Sequence, residues 1–229
     1  MITVKSEKIK KALKIGIPYL LIPALAVAAS SGVFQKKHLA VSFAVAALSF
    51  LLFISGFEKR RSGTVRLVLS SVMAAFCIVG RFIPYFKPIS ALTAISGMWL
   101  GGTSGFLVGS ISALISNFWF GQGPWTPFQM LAWGLVGLFA GYLSKHLKKS
   151  RVLLLVYGAL SGAFFSFVMD VWTVLWYNGT FDFSLYKGAL ISAAPFTLLY
   201  SVSNVVFLFL LAKPFGEKFA RIELKYGLD

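Results

Sequence analysis

Eight apolar stretches follow one another along this chain, near residues 15–33, 38–56, 66–86, 89–101, 102–118, 126–144, 152–177 and 188–212. A run of roughly 20 apolar residues crosses a bilayer when wound into a helix, because a helix satisfies its own backbone polar groups where no water can. The chain therefore reads as an all-α membrane protein. With 58% hydrophobic residues, 13% charged ones and a mean hydropathy of +0.80, a soluble core has no way to hide this much apolar surface. The 89–101 stretch is short for a full span, so its helix is expected to be tilted, broken or continued into the loops.

Basic residues near span ends are retained on the cytoplasmic side, which gives an orientation. With the N-terminus inside, that side collects Lys5, Lys8, Lys10, Lys11, Lys14, Lys59, Arg60, Arg61, Arg66, Lys145, Lys148, Lys149, Arg151, Lys213, Lys218, Arg221 and Lys225, which is 17 of the 22 Lys and Arg residues. Lys36, Lys37, Arg81, Lys87 and Lys187 remain for the outer face. Both termini are thus expected in the cytoplasm. The net charge of +15 is accounted for by contact with an anionic inner leaflet. No basic stretch is interleaved with exposed aromatics, so nucleic acid is not among the expected partners. Ala26-Val27-Ala28-Ala29, after a basic stretch and an apolar run, imitates a cleaved signal peptide; cleavage there would leave every later span oriented as before.

The basic cluster Glu58-Lys59-Arg60-Arg61-Ser62-Gly63 divides the chain. Residues 1–60 form a basic N-terminus and a two-helix transmembrane hairpin, with Pro18 and Pro23 as kink points. Residues 61–229 hold six spans and a basic C-terminal tail, and with them all the unusual chemistry. Small residues recur there at helix-contact spacing, as Gly101/Gly105/Gly109/Ala113, Gly137/Gly141 and Gly158/Gly162. Such ladders let helix backbones approach closely in lipid, and internal packing of a tight bundle is their simplest use.

Charges inside a membrane usually face a cavity or a partner. Arg81 and Asp170 fall at similar depth toward the outer side, where they either pair with each other or flank a polar pocket. Trp119, Trp125, Trp133, Trp172, Trp176, Tyr85, Tyr177 and Tyr186 gather at the same level, most of them as expected for an interfacial belt. Trp125 and Trp133 differ from the rest because Asn117, Gln122 and Gln129 accompany them, in and just after the run Gly121-Gln122-Gly123-Pro124-Trp125-Thr126-Pro127. Indole faces with a few uncharged amides suit a largely apolar ligand pocket. Helical spacing puts Gln129 and Trp133 on one face, and the Gly/Pro-rich loop before them has the makings of a lid. Asn178-Gly179-Thr180 matches a glycosylation sequon and reads as a turn.

Signals for an enzyme are missing. The chain has no His/Cys/carboxylate cluster at metal-ligand spacing and no phosphate loop with its lysine, and its single cysteine, Cys77, lies within a span as a packing residue. No cofactor is called for. Energised uptake would need another subunit or an ion gradient.

The run Gly80-Arg81-Phe82-Ile83-Pro84, then Lys87-Pro88, Gly101, Gly105-Phe106, Gly109, Ser116-Asn117-Phe118, Gly121 to Pro127, Gln129-Met130 and Trp133-Gly134 resembles the substrate-binding S components of energy-coupling factor (ECF) transporters. It is most similar to the cobalamin-linked group. The resemblance implies a six-helix receptor that captures a vitamin, cobalamin or a related corrinoid, from outside. It also implies a transmembrane coupling subunit and two ATPase subunits as partners, with ATP hydrolysis tilting the receptor in the membrane. Arg81, Asn117, Gln122, Trp125, Gln129, Trp133 and Asp170 are the residues expected at the pocket or its lid. Family members dock through an Ala-x-x-x-Ala pattern on the first core helix, which Ser71 and Ala75 match in spacing but not in the first residue. Phe128 stands where close relatives have tryptophan, and the N-terminal hairpin lies outside the six-span plan. An ion-coupled transporter is the alternative, with Asp170 as the one carboxylate well inside a span.

Overall fold

The computed structural model describes residues 6–30, 37–55 and 60–226, and every regular element among them is helical. The Ala26–Ala29 part of the signal-like segment falls inside a helix, whereas Lys36 and Glu58–Lys59 lie outside the described residues. Helix α1 (Glu7–Gly16) passes through a π-type turn at Ile17–Leu21 into α2 (Ile22–Ser30). Pro18 sits in that turn. A proline supplies no N–H to the helical ladder, and a widened turn absorbs the misfit without breaking the span. Helix α3 (His38–Ser55) completes the hairpin, which packs against the core helices α6 and α7 described next.

The six-helix bundle consists of α4 (Arg60–Gly80), α5 (Ile89–Leu100), α6 (Gly102–Phe120), α7 (Thr126–Tyr142), α9 (Arg151–Asn178) and α10 (Phe183–Tyr226), with the short α8 (Ser144–Lys149) linking α7 to α9. Among the described residues six helical segments, Lys8–Ser30, His38–Ser55, Gly63–Gly80, Gly102–Phe120, Arg151–Asn178 and Phe183–Tyr226, are long and apolar enough to cross a membrane. The protein is a multi-pass membrane protein. Helix α10 runs well beyond the expected 188–212 span: its 44 residues reach about 66 Å at 1.5 Å per residue, so the basic tail is a continuation of the last helix.

Helix α5 is short because of where it begins. Pro88 is seated against Gly80, where an added Cβ would meet the proline ring at 2.4 Å, so residues 81–87 form a loop with touching ends. The space a longer α5 would fill is open. Eleven of the 12 residues of α5 are buried, which makes it the central helix of the bundle. Only Gly101 separates it from α6, and its φ of 96° lies where residues with a Cβ are strained.

Most positions of the glycine ladders are close backbone contacts. A Cβ on Gly97 would lie 1.9 Å from the Gly137 carbonyl oxygen, one on Gly109 would lie 2.5 Å from the backbone of Trp133, and one on Gly162 would lie 2.5 Å from the Ser201 nitrogen. In lipid no hydrophobic force draws helices together, so this close approach supplies the dispersion contact that does. Gly101 is the exception in its ladder: it turns the chain, and Gly102 takes the contact with Leu138 and Gly141.

Candidate functional site

The gap above α5 is a cavity of about 270 Å³, bounded by the 81–88 loop, α5, α7, α9 and α10. Trp133 and Phe165 form its apolar wall, stacked with ring centroids 4.7 Å apart and planes 9° from parallel. Tyr200 meets Phe165 edge-on at 5.4 Å. Three aromatic rings from three helices thus hold one another in place.

Arg81 comes from the first residue after α4 and is 8% exposed. Its guanidinium lies 4.8 Å from the centroid of Phe120 and 5.1 Å from that of Trp133. It donates to the Ser116 hydroxyl and, at 2.7 Å, to Asn117 Oδ1. Asn117 in turn donates from Nδ2 to Thr126 Oγ1 at 2.9 Å and to Gln129 Oε1 at 2.8 Å. Gln129 accepts this bond on its carbonyl and borders the cavity. A buried cation is costly in an apolar medium unless its donors are matched and its charge is spread, and here two ring faces and two neutral oxygens do this without a carboxylate. The positive charge is left for something else.

Asp170, on α9, borders the same cavity and is 7% exposed. Arg81 Nε and Asp170 Oδ2 are buried without a hydrogen-bond partner, and no ion pair joins the two residues among those described. Tyr200 lies within electrostatic reach of both. The two charges flank a pocket. Buried polar atoms of this kind call for a partner such as water, an ion or a solute. Lys87 adds a second cation at the rim, its ammonium 5.5 Å from the Phe120 ring. Burial, and secondarily the charge of Arg81, pull its pKa below the ordinary lysine value.

Four of the seven residues singled out from the sequence, Arg81, Gln129, Trp133 and Asp170, line the cavity. Asn117 and Gln122 stand one step behind. Gln122 donates from Nε2 to the Leu114 carbonyl at 2.8 Å and accepts from Thr126 Oγ1 at 3.0 Å, which ties the 121–125 loop to α6 and α7. Trp125 is placed beside the cavity, not in its wall, with its ring edge-to-face on Trp172 at 5.8 Å. A Cβ on Gly123 would fall 2.2 Å from the Trp125 ring. Gly123→Ala is therefore expected to displace this indole and shift tryptophan emission, with helical circular dichroism unchanged. Trp119, Tyr85 and Tyr177 are at least 76% exposed and stand away from the cavity lining.

The sequence reading missed the α9 and α10 walls, Phe165, Ser166, Met169, Phe196, Tyr200 and Asn204. Two signals were present. Ser166 precedes Asp170, and Phe165 precedes Met169, by the four residues that put two side chains on one helix face, and Asn204 is an amide in an otherwise apolar span.

On α4, Ser71 and Ala75 are exposed one turn apart, between the exposed Val68, Val72, Phe76 and Val79. The bundle leaves this face uncovered.

A multi-helix membrane bundle with a half-open, part-aromatic and part-charged cavity at one end has the form of a membrane protein that holds a small solute. Residues 62–221 match the family described as ECF-type riboflavin transporter, S component. The chain belongs to that family of ECF-type S components, which are transport proteins and not enzymes. No curated protein and no solved structure matches the chain. Among the described residues no group of three or more His, Cys, Asp or Glu side chains is placed to hold a metal ion.

Proposed function

We propose that this protein is the vitamin-capturing subunit of an ECF transporter, taking its ligand into the Arg81–Asp170 cavity from outside the cell. A transmembrane coupling subunit and two ATPase subunits then drive release inward. The observation that carries this reading is the cavity itself: an aromatic wall, a cation without an ion pair and a carboxylate without one, meeting in one half-open cavity. The excess of basic residues at the α8 end supports an orientation with that end and both termini in the cytoplasm. The bundle from residue 61 is the receptor, and the hairpin of residues 1–60 is an addition that braces α6 and α7.

Ligand size favours a compact, flat vitamin. Pockets for drug-sized ligands run from about 300 to 1,000 Å³, and 270 Å³ lies just under the small end. A flat heterocycle of flavin dimensions, with imide oxygens and an N–H, suits a cavity that offers aromatic walls, the Arg81 cation and the Asp170 carboxylate. Riboflavin, named in the family description, has this character. Cobalamin, to which the 121–127 loop points, is several times larger and requires the 81–88 and 121–125 loops to swing apart. Purified protein, without ATP, is expected to bind one member of a vitamin panel containing both, with quenching of flavin fluorescence as the readout for riboflavin. No binding across the panel would overturn the receptor reading.

Ser71 and Ala75 are proposed as the docking face for the coupling subunit, since small exposed residues one turn apart admit another helix closely. Replacing both with leucine is expected to abolish ATP-driven uptake in cells while leaving vitamin binding by the purified subunit unchanged. Uptake that survives loss of the ATPase subunits and collapses with an uncoupler would instead favour an ion-coupled carrier using Asp170.

A further inference from the structure

A second cavity, of about 450 Å³, lies at the opposite end of the bundle, between the end of α5, the short α8, the start of α9 and the lower part of α10. Lys148, Lys149, Arg151 and Lys213 stand around it against a single carboxylate, Glu217. Two of these cations are held against ring faces, with Glu223 within electrostatic reach of Lys148 as a further carboxylate. The Lys148 ammonium lies 3.8 Å from the Trp99 ring centroid, and the Arg151 guanidinium lies 4.0 Å from that of Phe209 while donating to the Phe209 carbonyl at 3.4 Å. Ring faces and a neutral oxygen orient a cation and leave its charge open to an anion. Gly216 makes room for this arrangement, since a Cβ there would lie 2.9 Å from the Trp99 ring.

The position along the bundle says what kind of anion. Directly after Arg151 the α9 surface turns apolar and exposed at Val152, Leu153 and Val156, and on α10 the exposed Phe209 and Leu210 precede Lys213. The cations therefore sit where hydrocarbon gives way to water, at headgroup depth. A soluble anion would match the charges alone, whereas a phospholipid matches the charges and the apolar surface beside them. Basic pockets between transmembrane helices at this level bind lipid phosphates.

We infer that this cavity binds the phosphate of an anionic phospholipid, whose acyl chains lie along the exposed apolar surface of α9 and α10. The site is separate from the vitamin cavity and does not depend on that assignment. Burial holds the Lys148 ammonium below the ordinary lysine pKa range, with Glu223 acting in the opposite direction, so an arriving phosphate meets a cation that is short of counter-charge.

Native mass spectrometry of the detergent-purified full chain, titrated with phosphatidylglycerol, with phosphatidylcholine of the same acyl chains and with inorganic phosphate, tests this. One retained phosphatidylglycerol per protein is expected, with phosphatidylcholine lost at the same activation energy and inorganic phosphate unable to compete. Lys148→Gln and Arg151→Gln are expected to weaken retention about fivefold each. Equal retention of phosphatidylcholine, or wild-type retention by the double variant, would overturn the proposal. So would displacement by inorganic phosphate, which would reassign the site to a soluble anion. If the double variant does not fold, brominated phosphatidylglycerol and the milder Trp99→Phe variant decide. Bromine quenching of tryptophan emission should fall in Trp99→Phe, and unchanged quenching would refute the site.

Discussion

Arg81→Met should lower vitamin affinity by about two orders of magnitude, because the charge-assisted hydrogen bonds lost are worth about 1.5–3 kcal/mol and the Asn117 carbonyl is left unpaired besides. The guanidinium is suspended over Phe120 and Trp133 and bound to Ser116 and Asn117, with no carboxylate attached. A ligand oxygen entering the cavity meets a cation already desolvated and already oriented, so little reorganisation opposes binding. Arg81→Lys is expected to recover only part of the loss, since one ammonium cannot span Ser116 and Asn117 and also lie flat on two rings. Equilibrium binding and thermal unfolding, measured together, separate the two roles Arg81 could have. Unchanged affinity with a fall in melting temperature would make it a structural cation and remove the central support for the receptor assignment.

The spans were legible in the sequence because lipid imposes length and apolarity on every helix that crosses it, and no other force produces seven runs of that size in one chain. The shortness of α5 was legible too, as an anomaly, but not its cause. Nothing in residues 89–101 announces that Pro88 rests on Gly80 and that the missing turns are replaced by a cavity. The loop side of the site could be read because Asn117, Gln129 and Trp133 are unusual residues for a membrane helix. Phe165, Met169, Phe196 and Tyr200 are ordinary ones, and they become a ligand wall only through the packing of α9 on α10. Trp125 shows the opposite failure: as conspicuous in sequence as Trp133, it is claimed by Trp172, because an indole without a helix to aim it takes the nearest aromatic partner.

Position along a glycine ladder, not glycine itself, should decide what a methyl group does. At Gly137 an added Cβ would lie 2.3 Å from the Gly105 carbonyl carbon and 2.4 Å from its oxygen, and backbone atoms cannot rotate out of the way. Relief requires α6 and α7 to separate along their length. These two helices carry Arg81's partners Ser116 and Asn117 on one side and Gln129 and Trp133 on the other, so separation also pulls the Arg81–Asp170 cavity apart. Gly137→Ala is expected to cost at least about 3 kcal/mol, the upper end for overpacking, and to give protein that loses both its monodisperse elution and vitamin binding. At Gly158 the nearest atom is a Leu208 methyl at 2.7 Å, the far end of a side chain that can change rotamer, so Gly158→Ala should be tolerated with a small loss. At Gly188 nothing lies within 4 Å, and alanine there should be neutral or stabilising by up to about 1 kcal/mol through its higher helix propensity. Melting temperatures in one detergent must therefore fall in the order Gly188→Ala, Gly158→Ala, Gly137→Ala. A Gly137→Ala protein as stable as the parent would show that α6 and α7 are not in backbone contact, and the cavity they position would lose its frame.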